Sequence, residues 1–401
     1  MNSPLKKIPV SRATRGMYVH KICGNWIDHP FWKGSFLISN AKTLHTLQAL
    51  GDKEVWIDTT KGLDVESAPA AAAPAESHAA TIAAEPAPTP RRTDFGDDVM
   101  RAEATRDRAK DVAKALFGEA RRGKALSMHA ASDIVAEVKE AIMRNPAAML
   151  SVVRLKKKDD YTYLHSVAVS ALMIALGRML AIEGDELKDL GMAGLLHDIG
   201  KVGVPDAVLN KPGRLNPLEW TSIRLHPQIG GDILSKVAHA VPVALDVCLH
   251  HHEKIDGSGY PNKLPGAAIS RAARMGAICD VYDAITSNRP YKEGWEPAEA
   301  IRRMAEWQEG HFDREIFHAF VKLIGIYPTG TLVRLKSDRL AVVLAQGRHS
   351  TLTPIVRVFR SLASNEDIDP IQLDLEDDSD AIVGIEHPSS LDINTPALLR
   401  A

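Results

Sequence analysis

From Pro146 to about Ile326 the sequence carries an almost unbroken helical pattern. Apolar residues recur at i, i+3 and i+4 in stretches such as LHSVAVSALMIALGRMLAI and ISRAARMGAICDVYDAITS, with little of the alternation that strands require. A segment of roughly 180 residues is long enough to form one core. We therefore predict an all-α domain over residues 146–326.

The chain before this domain changes character twice. Residues 1–65 predict a small, mostly β regulatory domain with one short helix, in which the aromatic residues of WIDHPFWKGSF pack in the core rather than line a ligand groove. Residues 66–96 are rich in Ala and Pro and contain almost no large apolar side chain, which predicts a linker. Residues 97–145 predict a helical connector of one or two helices, which either packs on the all-α domain or forms a coiled-coil contact in a homodimer.

In the first part of residues 327–401, after the all-α domain, apolar residues recur at every second position, as in strands. Three strands are expected between Tyr327 and about Arg360, as a β appendage. The acidic tail DIDPIQLDLEDDSDAIVGIEHPSSL is weakly patterned and is expected to lie on the surface or to be mobile. The predicted fold class is therefore a multi-domain, mainly α protein with small β parts at both ends.

Composition limits the cellular setting and the partners. The 401 residues carry a net charge of −2, so no overall field attracts DNA or an anionic membrane. Three cysteines in unrelated contexts give neither a disulfide framework nor a CxxC zinc motif. The N-terminus lacks the apolar stretch of a signal peptide, and the most apolar helix is too short for a membrane span. We expect a cytoplasmic protein.

Histidine and aspartate residues interrupt the most apolar parts of the helical pattern. His197 and Asp198 follow a buried run directly, a costly arrangement unless both are paired or bound to metal. Similar positions are occupied by His165, His226, His251, His252 and Asp280. One such histidine would usually be a satisfied core residue, but the set predicts a polynuclear metal site. Imidazoles and carboxylates without thiolates favour a site for Fe, Mn, Zn, Co or Ni over a structural zinc site with cysteine ligands.

The segment from Tyr161 to Tyr291 contains, in order, the stretches YTYLHS, GLLHDIGK, VP, KPGRL, HPQIG, HHEKIDGSGYP and ICDVYDAITSNRPYK. On these stretches it resembles the HD-GYP family of metal-dependent phosphohydrolases. Residues 1–65 resemble a small domain of unknown function that often precedes HD-GYP domains. The resemblance implies an HD-type helical catalytic domain and a cyclic di-GMP phosphodiesterase that acts in bacterial second-messenger signalling.

The resemblance also implies roles for individual residues. The implied metal ligands are His165, His197, Asp198, His226, His251, His252 and Asp280. Asp198, which bridges the ions, and Lys201, which contacts the scissile phosphate, are the implied catalytic residues. The implied substrate-binding residues are Lys201, Gly259, Tyr260, Pro261, Arg289 and Lys292. Tyr161 stands where family members with three metals carry a Glu, so two divalent ions are expected, with Fe or Mn favoured; His250 lies outside the family pattern and is expected to be structural.

The expected chemistry is hydrolysis of the cyclic dinucleotide. Two cations bridged by Asp198 would lower the pKa of a shared water and generate a bridging hydroxide, which attacks phosphorus to give pGpG and, in a further step, GMP. No residue is assigned as the general acid that protonates the leaving ribose oxygen. Gly257 and Gly259 are expected to form a type II-like turn. The GYP loop, formed by Gly259, Tyr260 and Pro261, is also expected to serve as a lip toward nucleotide or a signalling partner. Asp283 and Asp256 are expected to support the ligands.

Two alternatives to a cyclic di-GMP phosphodiesterase remain at this stage. The first is a phosphodiesterase for another cyclic dinucleotide, which a substrate panel distinguishes. The second is a non-catalytic sensor that binds the dinucleotide and signals through protein contacts. The complete ligand set together with Lys201 argues against the sensor.

Overall fold

The structure is a computed structural model of the chain. It describes residues 5–22, 36–39, 41–48, 53–64, 95–154, 160–237, 241–287, 294–347, 350–386, 393 and 395–400. The chain divides into two compact units, Met1–Arg91 and Arg92–Ala401. The first unit is small and mostly β, and the second is mostly helical, which confirms the predicted fold class.

The first unit is a four-stranded antiparallel sheet with one helix. Its strands are β1 (Leu5–Pro9), β2 (Tyr18–Ile22), β3 (Phe36–Leu37) and β4 (Glu54–Asp58), in the order β1-β4-β2-β3, with helix α1 (Ala41–Gln48) and a 3-10 helix (Val10–Arg12). Met17, Val19, Ile38 and Ile57 are fully buried at its centre. The aromatic residues of WIDHPFWKGS and the linker from residue 65 to 94 lie outside the described residues, so both predictions stay open.

The second unit begins with a layered set of helices. They are α2 (Phe95–Arg121), α3 (Met128–Arg144), α4 (Pro146–Arg154), α5 (Tyr161–Met179), α6 (Gly184–Leu196), α7 (Asp206–Leu209), α8 (Pro217–Arg224), α9 (His226–Leu234), α10 (Pro242–His250), α11 (Arg271–Thr286), α12 (Pro297–His311) and α13 (Arg314–Ile324). Two 3-10 helices, Ile199–Gly203 and Gly266–Ala268, connect some of these helices. The predicted connector is thus a pair of helices, α2 and α3, and both pack on α5. A homodimer contact through them stays a prediction.

Helix α5 is the centre of this unit. It is apolar on all sides and contacts α2, α3, α4, α6, α11 and α13, as expected of a helix enclosed by other helices. Among the described residues it is the one helix long and apolar enough to cross a membrane, yet 78% of that stretch is buried within the unit. Its apolar composition is therefore explained by packing.

The C-terminal sheet has five strands, so the prediction of three strands and a weakly patterned tail was incomplete. Strands β5 (Leu332–Leu335), β6 (Arg339–Ala345), β7 (Ile355–Ser361), β8 (Glu366–Asp374) and β9 (Ile382–Glu386) lie in the order β8-β7-β6-β5-β9. The acidic tail supplies β8 and β9, the two edge strands. Acidic side chains on an edge strand keep it from pairing with further chains, so the charge marks an edge rather than a mobile segment. Helix α14 (Thr395–Arg400) packs on β6 and α2.

Candidate metal centre

The seven predicted ligands lie together, although they come from five parts of the helical unit. They are His165 in α5, His197 and Asp198 after α6, His226 at the start of α9, His251 and His252 after α10, and Asp280 in α11. Six are buried, with at most 6% of the residue exposed, and His252 is half-buried. His197 and Asp198 are adjacent in sequence, as are His251 and His252, and each pair follows the end of a helix. Neighbouring side chains diverge by about 100° within a helix, so both can face one centre only where the helix ends.

The turn after α6 places Asp198 close to α9. Helix α6 ends at Leu196, and the chain continues as a tight 3-10 helix through IGKVG. A Cβ on Gly200 would lie 1.9 Å from the backbone oxygen of His226 and 2.4 Å from the backbone nitrogen of Gly230. Only glycine fits at this approach, so Gly200 lets the Asp198 turn and the His226 helix meet.

Three histidines of the cluster have a fixed tautomer. His197, His226 and His251 each donate Nδ1–H to a backbone carbonyl oxygen of the preceding turn, at 2.8, 2.7 and 3.0 Å. A carbonyl oxygen cannot donate, so each Nδ1 carries a proton, and in the neutral ring Nε2 carries the lone pair. In that neutral form, the one that binds metal, all three Nε2 atoms present lone pairs to the centre of the cluster.

Those lone pairs face one another and a carboxylate without a hydrogen bond between them. The Nε2 atoms of His226 and His251 are 3.3 Å apart. Nε2 of His197 and Oδ1 of Asp198 are buried and have no hydrogen-bond partner among the described residues, although Nε2 of His226 lies 3.3 Å from that oxygen. Buried lone pairs gathered in this way repel unless a cation lies among them. The donor set thus fits bound metal ions.

The cluster divides into two groups on either side of Asp198. Its Oδ1 faces His226 at 3.3 Å and His251 at 3.9 Å, and its Oδ2 faces His165 and His197 at 3.4 Å each. The ligand atoms of each of two triads lie within 4.8 Å of one another: His226, His251 and His252 in one, His165, His197 and Asp280 in the other. A carboxylate between two triads has the arrangement of a bridging ligand.

His165 is oriented by a carboxylate behind it. Its Nδ1 donates to Oδ2 of Asp283 at 2.6 Å, and its Nε2 lies 3.0 Å from Oδ1 of Asp280. Asp283 is buried one helical turn after Asp280 on α11. A carboxylate that accepts from a ligating histidine fixes the ring and raises its basicity. The structure therefore gives Asp283 the supporting position that was expected of it.

Replacing Asp283 by Asn is expected to lower metal affinity by about 10- to 100-fold, because the ring of His165 loses its charged acceptor. Competitive titration of the apoprotein with a metal-binding dye measures this affinity directly. Asp232→Asn, at an exposed position on α9, is the matched control and should leave affinity unchanged. Equal affinities of the two variants would contradict the role assigned to Asp283.

Asp256 does not support the ligands, so that expectation was wrong. Its exposed carboxylate accepts a hydrogen bond from the backbone nitrogen of Ser258 at 2.8 Å, within the turn before the GYP sequence. This contact with Ser258 holds the pKa of Asp256 below its usual value. Aspartate commonly stabilises a turn in this way, which explains its presence here without the metal site.

Burial and charge set different protonation states within the cluster. Burial disfavours the ionised form of Asp198, but Lys201 and His197 outweigh it and hold the pKa of the carboxyl well below its usual range. Burial lowers the pKa of His226 to about 4 and that of His252 to about 3. These two imidazoles are neutral at neutral pH, the state that binds metal.

His165 is in the opposite state when no cation is bound. Burial opposes its protonation, but hydrogen bonds with Asp198, Asp280 and Asp283 raise its pKa to about 10. A cation ligated by His165 must displace that proton, so metal binding here releases protons. Tyr161, one turn earlier, stacks its ring parallel to His165 with 5.9 Å between centroids.

Lys201 and the GYP loop border the cluster. The Lys201 ammonium contacts Oδ2 of Asp198 and keeps a quarter of its side chain exposed. The ring of Tyr260 stacks on that of His252, with centroids 4.7 Å apart. The predicted substrate residues Lys201, Gly259, Tyr260 and Pro261 thus lie beside the ligands, whereas Arg289 and Lys292 lie outside the described residues.

Glu253, a residue to which the sequence assigned no role, holds the loop to the ligand segment. Its buried carboxylate accepts from the backbone nitrogens of Asn262 at 2.6 Å and Leu264 at 3.1 Å. Gly257 has a φ of +76°, as a turn glycine does, but Gly259 is not in the left-handed region. A Cβ on Gly259 would lie 2.5 Å from Cα of Glu253, so close approach, not the expected turn, requires glycine there.

His250 has a structural position, as expected. Its Nδ1 donates to Asp246 at 2.8 Å, and its Nε2 lies 3.2 Å from the side-chain nitrogen of Asn262. Asp246 also accepts from the hydroxyl of Ser270, the N-cap residue of α11. His250 therefore connects α10, the GYP loop and α11 behind the two ligating histidines.

Comparison with known proteins identifies the family. Residues 129–316 match the family described as "HD domain", and residues 5–131 match "Domain of unknown function (DUF3391)". The chain is 50% identical over 385 residues, which is 95% of this chain and 92% of the relative, to the Pseudomonas aeruginosa protein named cyclic di-GMP phosphodiesterase PA4108. The chain therefore belongs to the HD-GYP family of metal-dependent phosphohydrolases, as the resemblance implied. It is an enzyme, a phosphodiesterase.

Two further relatives each match a little under half of the chain. The cyclic di-GMP phosphodiesterase response regulator RpfG of Xanthomonas campestris pv. campestris is 34% identical over 187 residues, which is 46% of this chain and 49% of that protein. The 3'3'-cGAMP-specific phosphodiesterase 3 of Vibrio cholerae is 36% identical over 171 residues, which is 43% of this chain and 37% of that protein. The relatives that match this chain thus carry names with two different substrates, cyclic di-GMP and 3'3'-cGAMP.

Proposed function

We propose that the chain hydrolyses cyclic di-GMP to pGpG, and pGpG further to GMP, in bacterial second-messenger signalling. The observation that carries this proposal is the Asp198 carboxylate between two triads of buried ligand atoms, with the Lys201 ammonium beside it. The named activity of the Pseudomonas aeruginosa relative, which matches 95% of this chain, supports the choice of substrate.

Two divalent cations, Fe or Mn, are proposed as the cofactors. The proposed ligands are His165, His197 and Asp280 for one ion, His226, His251 and His252 for the other, and Asp198 between them. When bound, such ions activate water as a nucleophile and offset negative charge on a phosphoryl group. The orphaned lone pairs of His197 and Asp198 support this occupancy.

The chain's own residues then position the substrate. Lys201, partly exposed and anchored on Asp198, donates hydrogen bonds to a phosphate oxygen, where charge develops during phosphoryl transfer. Gly259, Tyr260 and Pro261 form the edge of the substrate pocket. Arg289 and Lys292 supply local positive charge for a dianionic ligand despite the overall charge of −2.

A substrate panel on one sample tests the proposal. Protein purified without oxygen and loaded with Fe or Mn is incubated with cyclic di-GMP, 3'3'-cGAMP and cyclic di-AMP, and the products are separated by liquid chromatography. We expect the highest kcat/KM for cyclic di-GMP, with pGpG formed first and GMP later. Faster turnover of 3'3'-cGAMP would show that the chain is a phosphodiesterase for that cyclic dinucleotide instead. Tight binding of cyclic di-GMP without turnover would show that it is a non-catalytic sensor.

The cellular setting is proposed on the same basis. We place the protein in the cytoplasm, where cyclic dinucleotides act, with the GYP loop as a contact for signalling proteins. A homodimer through α2 and α3 is an additional proposal. Elemental analysis of the anaerobic sample identifies the metals, and light scattering of that sample gives the oligomeric state.

A further inference from the structure

A short surface helix stands beside the candidate metal centre. Helix α8 ends at Arg224, and α9 begins two residues later at His226, one of the proposed ligands. No residue of α8 is buried. Trp220 on this helix is 48% exposed, and Leu218 is 82% exposed. The helix thus presents an aromatic ring to solvent close to the reacting centre.

Arg224 connects Trp220 with the GYP loop. Its guanidinium carbon lies 5.8 Å from the ring centroid of Trp220 and 5.4 Å from that of Tyr260, both within the range of a cation–π contact. Tyr260 in turn stacks on the imidazole of His252. The imidazole of His252, the phenol ring of Tyr260, the guanidinium of Arg224 and the indole of Trp220 therefore form a continuous series of contacts. This series leads from the ligand cluster to the surface.

The guanidinium in this line keeps its hydrogen-bond donors available. Among the residues that the structure describes, none forms a hydrogen bond or an ion pair with the Arg224 side chain. An arginine attracted to an aromatic ring still carries five N–H donors, arranged as a planar fork. Such a fork, fixed by aromatic rings and not engaged by a carboxylate, is available to a ligand with two acceptors side by side.

We propose that Trp220, Arg224 and Tyr260 form a subsite for one guanine base of the cyclic dinucleotide, in which Arg224 donates to O6 and N7. The inference rests on the proposed function and deepens it. A base is joined to its phosphate through a single ribose, and Arg224 is separated from the ligand His252 by a single ring, that of Tyr260. The base stacks on exposed aromatic surface, a contact open to any base.

The fork provides the selectivity. Guanine offers two adjacent acceptors, O6 and N7, which a bidentate arginine matches. Adenine replaces O6 by an amino donor, so one N–H of Arg224 would face another N–H. An apolar protein segment on this surface would bury the guanidinium without an acceptor, which is costly. A guanine base therefore suits the surface better than adenine or an apolar partner.

The first experiment replaces Arg224 by Gln and by Ala in the metal-loaded protein. For cyclic di-GMP we expect kcat/KM to fall by about 10- to 100-fold, mainly through KM, because a bidentate base contact is lost. Arg224→Gln should improve cyclic di-AMP relative to cyclic di-GMP, since a glutamine amide matches adenine. Hydrolysis of bis(p-nitrophenyl) phosphate, which has no nucleobase, should be unchanged. Arg101→Gln is the matched control, because Arg101 is exposed on α2 and forms no ion pair with any residue that the structure describes.

The second experiment separates stacking from hydrogen bonding. Trp220→Ala should raise KM for cyclic di-GMP by about 5- to 100-fold, whereas Trp220→Phe should keep most of the affinity, because stacking needs only a ring. Calorimetric titration with GMP and AMP gives a reading that does not depend on turnover. Wild-type protein should prefer GMP, and Arg224→Gln should lose that preference.

The outcomes decide between this subsite and other roles of α8. Unchanged KM values in all Arg224 and Trp220 variants would overturn the proposal. A parallel loss with bis(p-nitrophenyl) phosphate would also overturn it, because Arg224 would then act by holding Tyr260 and His252. If the wild-type protein hydrolyses no cyclic dinucleotide, the proposed function fails. A preference for GMP that depends on Arg224 would still support the subsite in that case.

Discussion

Replacing Asp198 by Asn is expected to lower kcat/KM for cyclic di-GMP by on the order of 10³-fold or more and to remove at least one of the two proposed metal ions. The two carboxylate oxygens of Asp198 face different histidines, His226 on one side and His165 on the other, at 3.3 and 3.4 Å. Asparagine offers one neutral oxygen, so it cannot link both groups. Chromatographic rates and elemental analysis of the same sample measure the two effects.

Asp256→Asn is the matched control for this variant. Asp256 is an exposed turn residue of the same unit, and its replacement should leave both activity and metal content near wild type. Circular dichroism should show the same helix content in both variants. Asp198→Asn with full metal content and a rate within tenfold of wild type would show that Asp198 does not bridge the ions.

Replacing Gly200 by Ala is expected to destabilise the helical unit by about 3 kcal/mol or more and to abolish activity. The added Cβ would lie 1.9 Å from the backbone oxygen of His226, and backbone atoms cannot rotate away. Helix α9 must therefore move, and it carries His226 away from Asp198. Urea unfolding followed by circular dichroism measures the stability, and the substrate assay measures the activity.

Gly118→Ala tests whether any added methyl group has this effect. Gly118 lies inside helix α2, and the nearest atom to its Cβ would be a guanidinium nitrogen of Arg122 at 3.3 Å, the flexible end of a side chain. The change should stabilise the protein by up to about 1 kcal/mol, because alanine favours a helix more than glycine does. Similar unfolding midpoints and rates for the two variants would contradict the close approach at Gly200.

The helical domain and the convergence of its ligands were predictable from the sequence because both follow from the cost of burial. Apolar residues at helical spacing must face a core, so the pattern identified helices throughout residues 146–326. Histidine and aspartate residues inside such a pattern need partners, which indicated that His197 and Asp198 belong to a cluster. The two-metal count and the role of each ligand remain predictions.

Partners distant in the chain were not predictable, because residue type alone does not give direction. Asp256 and Asp283 both stand near ligands in sequence, yet Asp283 points from α11 to His165 while Asp256 closes a turn. Trp220 and Arg224 look like ordinary surface residues of an amphipathic helix. The contact of Arg224 with Tyr260 depends on how α8 packs against the GYP loop, which no local pattern encodes.

The acidic tail shows a different limit. Its acidic residues obscure the alternation of apolar and polar positions by which a strand is recognised. Nevertheless, Ile368, Leu373 and Ile382 pack against the core of the C-terminal sheet. Edge strands are selected to look unlike central strands, because a charged edge resists pairing with other chains. A sequence analysis that expects alternating apolar residues therefore misses the strands that close a sheet.

Anomalous diffraction from crystals of the protein loaded with Fe or Mn would examine the proposed site directly. We expect two peaks about 3.5–4 Å apart, one on each side of the Asp198 carboxylate. One of them should lie among His226, His251 and His252, and the other among His165, His197 and Asp280. A single peak, or peaks that do not contact Asp198, would contradict the two-ion centre.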